Sequence, residues 1–300
     1  MLEWDDFRVF LAIARHGSLT AAARALRVTQ PTMGRRLELL EERLGTRLFD
    51  RTPTGPVLTD LGSAILEHAE QMEQAAFAAE RRIAGHDSGP HGTVRITSLE
   101  WFGNHVLAPI MASFSTRYPQ IVVELVTGMR TYNLSKREAD IAIRFARFDQ
   151  NDLVQRKVAD VAYGLYASAA YLGLHGVPDF TDKGANHAVV TVHEAAAHVP
   201  NSRWLIENVA PKARIAFRAS SHEAEARAAE IGAGLVALPR CIGDGMPSLE
   251  RLDSPSPAPI REVWLGYHQD MRQAPRLRVL VDFLVDELRH RTPQLHPRPD

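Results

Sequence analysis

The sequence predicts an α+β protein of several domains, in which a helical N-terminal part precedes a larger α/β part. Its 300 residues exceed what one ordinary hydrophobic core accommodates, so two to three domains are expected. Apolar residues recur at helical spacing through much of the first 85 positions. After a break rich in Gly, Pro and His at positions 86–92, short apolar strands alternate with helices. That alternation is typical of a largely parallel sheet covered on both faces.

Composition limits the class of protein further. A hydrophobic content of 45% and a charged content of 24% are those of a soluble globular chain. No apolar stretch approaches the length of a membrane span, and the acidic N-terminus is unlike a signal peptide, so we expect a cytoplasmic protein without membrane contact. The net charge of -1 means that any case for DNA binding depends on where the charges lie. Cys241 is the one cysteine, which excludes an internal disulfide and favours an inert thiol over a redox sensor.

The stretch 20–44 predicts two helices joined by a tight turn. Pro31 is tolerated in a first helical turn, where its missing N–H costs nothing, and Thr29 or Gln30 is placed to cap that turn. The second helix opens with short or hydrogen-bonding side chains and two guanidinium groups, as expected of a helix whose N-terminal end touches base edges. An ordinary surface helix pair with a solvated charged face is the alternative. The candidate DNA-contacting residues here are Thr29, Gln30, Pro31, Thr32, Gly34, Arg35 and Arg36.

The flanking segments fit the same arrangement. Residues 3–16 form an amphipathic helix, and two apolar pairs around a Pro/Gly turn at 48–58 predict a hairpin, or wing. Arg51 at the base of this wing is a candidate for a phosphate or minor-groove contact. An Ala-rich helix follows from Thr59 to Gly85. No neighbouring element is expected to receive it, which favours packing against the same helix of a second subunit and a dimer that binds two-fold symmetric DNA.

One ordered set of residues runs through this N-terminal block without a gap: Phe10, Gly17-Ser18, Ala21-Ala22-Ala23, Leu26, Val28-Thr29-Gln30-Pro31, Arg35, Leu40-Glu41, Leu44-Gly45, Arg47-Leu48-Phe49, Arg51-Thr52, Gly55, Leu58-Thr59 and Gly62. On these residues the block resembles the DNA-binding region of LysR-type transcriptional regulators. The resemblance implies a winged helix-turn-helix with a dimerising linker helix, in which Gln30, Pro31 and Thr32 face base edges while Arg35 and Arg51 hold the DNA backbone. The chain departs from the family at Gly34, where Ser is usual, and at Thr54, where the wing often carries a basic residue.

The remaining two hundred residues predict an α/β sheet with strands at 93–98, 121–128, 140–145, 163–167, 188–193, 235–238 and 263–267 and helices at 106–117, 221–231 and 277–289. This order resembles the effector-binding region of the same family, which has a two-lobed, periplasmic-binding-protein-like architecture. The expected domains are the winged helix-turn-helix at 1–60, the linker helix and hinge at 61–91, and the effector domain at 92–300. Within the last, lobe I is expected at about 92–161 and 266–300, and lobe II at about 162–265.

The cleft of such a domain binds ligands where strands end and helices begin. Arg144 lies at the end of the third strand and is suited to a bidentate pair with a carboxylate, which gives a mild preference for a carboxylate or aromatic effector. Capping, a structural ion pair or core packing are the alternatives for these positions. Glu194 and Ser221 are weaker candidates on the second lobe. The expected effector contacts are Ser98, Thr127, Gly128, Trp101, Arg144, Phe145 and His193.

Two motifs that are typical of zinc enzymes and of dinucleotide-binding proteins have the wrong spacing or the wrong structural context here. The histidines of His193-Glu194-Ala195-Ala196-Ala197-His198 stand five apart, which on a helix separates them by ~140° and prevents joint zinc binding. Gly232-Ala233-Gly234 follows a predicted helix and precedes a strand, the reverse of a dinucleotide site. We therefore expect no catalytic centre, no metal and no cofactor.

The sequence thus predicts a transcriptional regulator controlled by a small-molecule effector in the interlobe cleft. Expected partners are double-stranded DNA with an inverted repeat, further copies of the chain in a dimer of dimers, and RNA polymerase. Two alternatives remain open at this stage. One is a regulator with a closed or vestigial cleft, and the other is a small-molecule-binding protein without specific DNA recognition.

Overall fold

The computed structural model describes residues 3–85, 89–128 and 132–297, so part of the predicted hinge, at 86–88, lies outside the described residues. The chain divides into two compact units, Met1–Ile83 and Ala84–Asp300. Each unit has its own hydrophobic core. The predicted boundaries of the domains and lobes stay predictions.

The N-terminal unit contains the predicted helix-turn-helix, hairpin and long helix. Gly17 and Gly45 adopt left-handed backbone angles that end the first and third helices, with φ of 63° and 67°. The Ser18 and Thr29 side chains accept hydrogen bonds from the backbone N–H groups of Ala21 and Thr32 and so begin the second and third helices. The elements are α1 (Trp4–His16), α2 (Leu19–Ala25), α3 (Gln30–Leu44), β1 (Phe49–Thr52), β2 (Gly55–Leu58) and α4 (Asp60–Gly85).

The core of this unit is formed by one apolar face from each element. The rings of Phe10 on α1 and Phe49 on β1 pack at a centroid distance of 5.4 Å. Each fully buried side chain of this kind contributes about 1.5–3 kcal/mol relative to its exposed state. The buried members are Val9, Phe10, Leu11, Ala12, Ile13, Ala22, Ala23, Met33, Leu37, Leu40, Leu48, Phe49 and Ala69.

Helix α4 packs partly against α1, which corrects the expectation that no neighbouring element receives it. Arg15 of α1 donates two hydrogen bonds to the buried Glu73 carboxylate of α4, at 2.9 and 2.6 Å. These hydrogen bonds raise the pKa of the Arg15 guanidinium. Met72 and Ile83 remain exposed, so α1 covers only one side of α4.

The C-terminal unit contains a nine-stranded sheet in its described part. Its strand order is β4-β3-β5-β11-β6-β9-β7-β8, and β10 also pairs with β6. Four pairings are parallel, while every pairing of β6 and β11 is antiparallel. The sheet is therefore mixed, and the prediction of a largely parallel sheet was only half right. The strands are β3 (Gly92–Ser98), β4 (Ile121–Thr127), β5 (Ile141–Arg144), β6 (Leu153–Ser168), β7 (Ala188–Val192), β8 (Arg214–Ala219), β9 (Leu235–Pro239), β10 (Leu249–Leu252) and β11 (Ile260–His268).

Helices pack against the sheet of this unit, and two of them continue into π-helical segments. The first half of the unit has α5 (Glu100–Phe102), a π-helical segment (Gly103–Leu107) and α6 (Ala108–Arg117). The second half has α7 (Ala169–His175), α8 (Pro200–Arg203), a π-helical segment (Trp204–Val209), α9 (His222–Glu230), α10 (Arg240–Gly243), α11 (Pro275–His290) and α12 (Thr292–Leu295). Short 3-10 turns occur at Glu194–Ala196 and Gln269–Met271.

Strand β6 joins the two groups of parallel strands. Its first part pairs with β11 along its whole length, from Ile260 opposite Ala162 to His268 opposite Leu153. Its last part pairs with β9, beginning with Tyr163 opposite Pro239. The 16 residues of β6 thus belong to both halves of the sheet, although the sequence predicted a strand only over 163–167.

The ion pair between α1 and α4 gives a test of this packing. We expect Arg15→Gln to lower the free energy of unfolding by about 1–3 kcal/mol, because Glu73 then loses its bidentate partner while it stays buried. Arg8→Gln is the matched control, since Arg8 and Asp5 form an exposed pair that is worth at most about 1 kcal/mol. Urea unfolding followed by helical circular dichroism measures both variants. Equal effects of the two substitutions would contradict the described packing of α4.

Candidate functional site

The start of α3 presents polar side chains to solvent, while the same helix buries an apolar face. Met33, Leu37 and Leu40 lie in the core of the N-terminal unit. This division of the helix is the one that the sequence predicted. The exposed residues are Thr29, Gln30, Pro31, Thr32, Arg35 and Arg36.

Gly34 is not required by the packing of this unit. A Cβ at this position would have only the Leu19 side chain in reach, at 4.0 Å, which is an ordinary contact. A glycine inside a helix costs about 1 kcal/mol relative to alanine. Packing within the unit therefore gives no reason for a glycine at this position.

The wing is held against α1 and α3 by contacts to its own backbone. Glu41 of α3 accepts hydrogen bonds from the N–H groups of Leu48 and Phe49, at 2.7 and 3.1 Å. Gly55 has a φ of 129°, and a Cβ there would lie 2.5 Å from the carbonyl oxygen of Gly17. Only glycine fits at this turn, which holds the hairpin against the end of α1.

Arg51 lies on the wing next to α3, as the sequence predicted, but it already has a partner. Its guanidinium donates to the Glu38 carboxylate of α3 at 2.9 Å, and its side chain is 80% exposed. An exposed pair of this kind is weak. Arg51 is therefore available to a phosphate, in competition with Glu38.

A cavity of about 250 Å³ lies in the C-terminal unit, where β3, β4 and β5 end. Four of the predicted effector residues line it: Ser98, Gly128, Arg144 and Phe145. Tyr132 and Arg261 also line it, and neither was predicted. None of the described lining residues is acidic.

Ser98 and Gly128 meet at one edge of the sheet because β3 and β4 are parallel. The Gly128 N–H donates to the Ser98 carbonyl oxygen at 3.1 Å. Ser98 is only 6% exposed, and its Oγ has no hydrogen-bond partner within the described residues. A buried hydroxyl without a partner costs free energy, so a ligand that hydrogen-bonds to it would recover that cost.

Arg144 has no carboxylate partner in the part of the chain that the structure describes. Its Nη2 donates to the Tyr132 carbonyl oxygen at 2.8 Å, and its Cζ lies 5.0 Å from the centre of the Phe148 ring. Burial lowers the pKa of this guanidinium, which still carries its charge at neutral pH because an arginine stays protonated in proteins. Arg144 is therefore positioned by a carbonyl oxygen and an aromatic ring, and not by the structural ion pair that was the alternative for this residue.

Arg261 is the second guanidinium at the cavity, and sequence reasoning missed it. It stands on β11, far along the chain from the other lining residues. Its Nη2 donates to the Phe145 carbonyl oxygen at 3.4 Å, and its Cζ lies 4.9 Å from the centre of the Phe145 ring. Only the pairing of β11 with β5 and β6 brings it here, so no local sequence signal was present.

The structure does not bring five other candidates to the cavity. Thr127 packs beneath the helix at Gly103, where a Cβ would overlap the threonine methyl group. Trp101 is buried in the core, 5.2 Å from the Phe145 ring. His193 is exposed, and its backbone N–H donates to the Ala219 carbonyl oxygen at 2.6 Å, with Glu194 in the adjoining 3-10 turn. Ser221 caps α9, since its Oγ accepts from the Ala224 N–H.

The described residues give little support to a reactive thiol, a metal site or a membrane-spanning helix. Burial raises the pKa of the Cys241 thiol to about 11, so the reactive thiolate is scarce at neutral pH. Among the described residues, no group of three or more His, Cys, Asp or Glu side chains is arranged to hold a metal ion. In the same residues, no helix combines the length and apolar character needed to cross a membrane.

Comparison with known proteins connects both regions to one family. A family model described as "Bacterial regulatory helix-turn-helix protein, lysR family" matches residues 4–63, and one described as "LysR substrate binding domain" matches residues 87–289. The HTH-type transcriptional regulator CrgA of Neisseria meningitidis serogroup B is 31% identical over 293 residues, which cover 95% of this chain and 96% of CrgA.

Two solved structures share the fold over nearly their whole length. The full-length virulence activator AphB of Vibrio cholerae aligns with a TM-score of 0.64 at 23% identity, covering 95% of this chain and 99% of AphB. Full-length CbnR, a protein solved with its target DNA, aligns with a TM-score of 0.58 at 20% identity, covering 96% of this chain and 99% of CbnR.

The contact between Arg51 and Glu38 gives a test of the DNA-facing surface. We expect Glu38→Gln to raise the affinity for duplex DNA about two- to fivefold, because Arg51 is released and a negative charge near the phosphates is removed. Glu67→Gln, the same change on the exposed surface of α4, should leave the affinity unchanged. Fluorescence anisotropy with labelled duplex at low salt measures both. An unchanged affinity in Glu38→Gln would exclude Arg51 and Glu38 from the DNA-facing surface.

Proposed function

Because this chain belongs to the LysR family of bacterial transcriptional regulators, we propose that α3 recognises a base sequence in DNA and that the cavity of the C-terminal unit holds the controlling effector. Regulators of this family bind DNA and small-molecule effectors, form oligomers and are not enzymes. Membership therefore confirms the predicted regulator and the expected absence of a catalytic function. The residues that we assign to DNA contact and to effector contact are our proposal. The oligomeric assembly of this chain is also our proposal.

The DNA contact that we propose lies at the N-terminal end of α3. Its support is the exposed polar start of a helix whose other face is buried. Gln30, Pro31 and Thr32 would meet base edges, Gly34 would allow close approach, and Thr29, Arg35, Arg36 and Arg51 would hold phosphates. CbnR, which shares this fold, has been solved with its target DNA.

The DNA site that we propose is an inverted repeat bound by a dimer. The exposed Met72 and Ile83 of α4 support packing of α4 against the same helix of a second copy. We extend this to a dimer of dimers, and to contact with RNA polymerase in the cytoplasm, on the pattern expected of a bacterial regulator. A two-fold symmetric protein pairs its two recognition helices with two half-sites about one helical turn apart.

The effector that we propose is a small organic carboxylate. The observation that carries this proposal is a cavity with two guanidinium groups, from Arg144 and Arg261, and no acidic side chain among its described lining residues. Guanidinium geometry matches a carboxylate in a bidentate manner, as it also matches a phosphate. The Ser98 hydroxyl would donate to the same ligand, and the Phe145 and Tyr132 rings favour an aromatic or planar body.

A closed or vestigial cleft is the main competing function for this unit. It predicts apolar side chains that fill the cavity, and buried polar groups that are paired with one another. Three observations favour an effector site instead: the open volume, a Ser98 hydroxyl that has no hydrogen-bond partner among the described residues, and two arginines that have no carboxylate partner among them. A protein without specific DNA recognition is the other alternative, and the base preference of the Gln30→Ala variant tests it.

Substitutions at α3 separate base recognition from phosphate binding. We expect Gln30→Ala to relax the choice of one base pair, at a cost of about 1–3 kcal/mol for the preferred duplex. Arg35→Ala should weaken binding to all sequences equally and reduce the salt dependence by about one ion. Selection of bound duplexes from a randomised pool, followed by affinities at two salt concentrations, measures both effects. If Gln30→Ala lowers the affinity for every sequence equally, Gln30 is excluded from base recognition.

Substitutions at the cavity test the carboxylate effector. Benzoate should raise the melting temperature of the wild-type protein, since a ligand at 100 times its Kd adds about 2.7 kcal/mol of stability. Neutral benzamide, which has the same shape, should not. Arg144→Gln and Arg261→Gln should each abolish the benzoate shift, whereas Arg156→Gln, an exposed arginine on β6, should retain it. A benzoate shift that survives loss of both cavity arginines would contradict the proposed site.

A further inference from the structure

A small hydrophobic cluster, separate from the main core of the C-terminal unit, lies beside Arg144. Phe148 is one of its buried members, and the partly buried Tyr132 packs against it. Both residues contact Arg144. The Tyr132 carbonyl oxygen accepts a hydrogen bond from Nη2 at 2.8 Å, and the centre of the Phe148 ring lies 5.0 Å from Cζ. The function described so far gives Phe148 no role.

The backbone of Phe148 is held by one side chain of β6. Oε1 of Gln155 accepts a hydrogen bond from the Phe148 N–H, and Nε2 of Gln155 donates to the Phe148 carbonyl oxygen, both at 3.0 Å. Two neighbouring residues of an antiparallel ladder exchange the same pair of hydrogen bonds. Because Phe148 lies outside the strands of the sheet, the Gln155 amide takes the place of a neighbouring strand and fixes the backbone at this position.

The ring of Phe148 lies over a glycine of β11. Gly266 stands opposite Ala142 of β5 on one side and opposite Gln155 of β6 on the other. A Cβ at Gly266 would lie 2.6 Å from Cε2 of the Phe148 ring, which is closer than two nonbonded carbon atoms approach. The glycine therefore leaves the space that the ring occupies. Neighbours on β6 and β11 thus determine both the backbone and the ring of Phe148.

An aromatic ring holds a guanidinium without neutralising it, because the face of the ring attracts a cation but carries no net charge. Arg240 shows the contrasting arrangement, since its Nε donates to the Asp244 carboxylate at 3.0 Å. Such a carboxylate would compete with an anionic ligand for the guanidinium. Arg261, the second cavity arginine, also lies over a ring, with its Cζ 4.9 Å from the centre of Phe145. Uncharged groups therefore orient both cavity arginines, and their positive charge stays available to an anion.

We propose that Phe148 is a positioning residue of the effector site, which holds the Arg144 guanidinium in the orientation that binds an anion. This inference rests on the proposed effector site. Phe148 is not among the described residues that line the cavity, so it acts through Arg144 and not by touching the ligand. Without the ring, the Arg144 side chain would adopt more rotamers, and ordering it on binding would cost free energy. Gln155 and Gly266 contribute indirectly, because they fix Phe148.

The affinity for benzoate, measured by titration calorimetry, tests this role. We expect Phe148→Leu to weaken binding about 3- to 20-fold, the effect of losing one cation–π contact at a partly buried arginine. Gly266→Ala keeps Phe148 but displaces its ring, and it should weaken binding to a similar extent. Phe283→Leu is the matched control, because the Phe283 ring packs against Phe114 and Tyr118 in the main core. It should leave the affinity unchanged even where the melting temperature falls. Wild-type affinity in both Phe148→Leu and Gly266→Ala would overturn the proposal.

A ligand-free measurement distinguishes failure of the positioning role from failure of the effector assignment. The Arg144 guanidinium is followed by NMR on protein with isotope-labelled arginine and is assigned by the absence of its signals in Arg144→Gln. The neighbouring ring shifts these signals and slows the motion of the side chain. Phe148→Leu should remove both effects, and Phe283→Leu should keep them. Unchanged Arg144 signals in Phe148→Leu would overturn the proposal. Changed signals, in a protein whose wild type does not bind benzoate, would support the positioning role and count against the carboxylate effector alone.

Discussion

The antiparallel pairing of β6 with β11 is the constraint on which the C-terminal unit depends. Strand β11 pairs with β5 on its other side, where Trp264 stands opposite Arg144. The same strand sets Arg261 opposite Val161, two residues before Tyr163 on β6. The two ladders that share β11 therefore bring both cavity arginines into one region. Because β6 also pairs with β9, a change in the ladder between β6 and β11 would act on both halves of the sheet.

The N-terminal unit could be predicted in detail because its signals are local. Glycines at 17 and 45, caps at 18 and 29, and the periodic apolar residues determine each helix within a few positions of chain. The α/β unit was predicted less completely. Strands β8 and β10 and the first half of β6 were missed because their charged and exposed residues interrupt the apolar pattern. Pairing partners and the mixed sheet depend on contacts distant in sequence, which local patterns do not encode.

The candidate site shows the same limit. The predicted ends of the strands identified Ser98, Gly128, Arg144 and Phe145 as cavity residues. Parallel strands end at the same edge of a sheet, and ligands commonly bind at that edge. The rule does not say which way a side chain turns at that edge, and Thr127 turns under the helix instead. The rule also does not predict Arg261, because this residue lies on an antiparallel strand far along the chain from the other lining residues. Sequence thus identified the edge, while tertiary pairing determined which charged groups meet there.

The central claim is that this chain recognises a defined DNA site through paired copies of α3. Footprinting of the purified protein on the intergenic DNA upstream of its own gene, at two salt concentrations, tests that claim most directly. We expect protection of an inverted repeat whose half-sites lie about one helical turn apart, and this protection should persist at the higher salt concentration. Salt-sensitive binding without a preferred site would contradict base recognition by α3, because α3 would then hold phosphates without recognising bases.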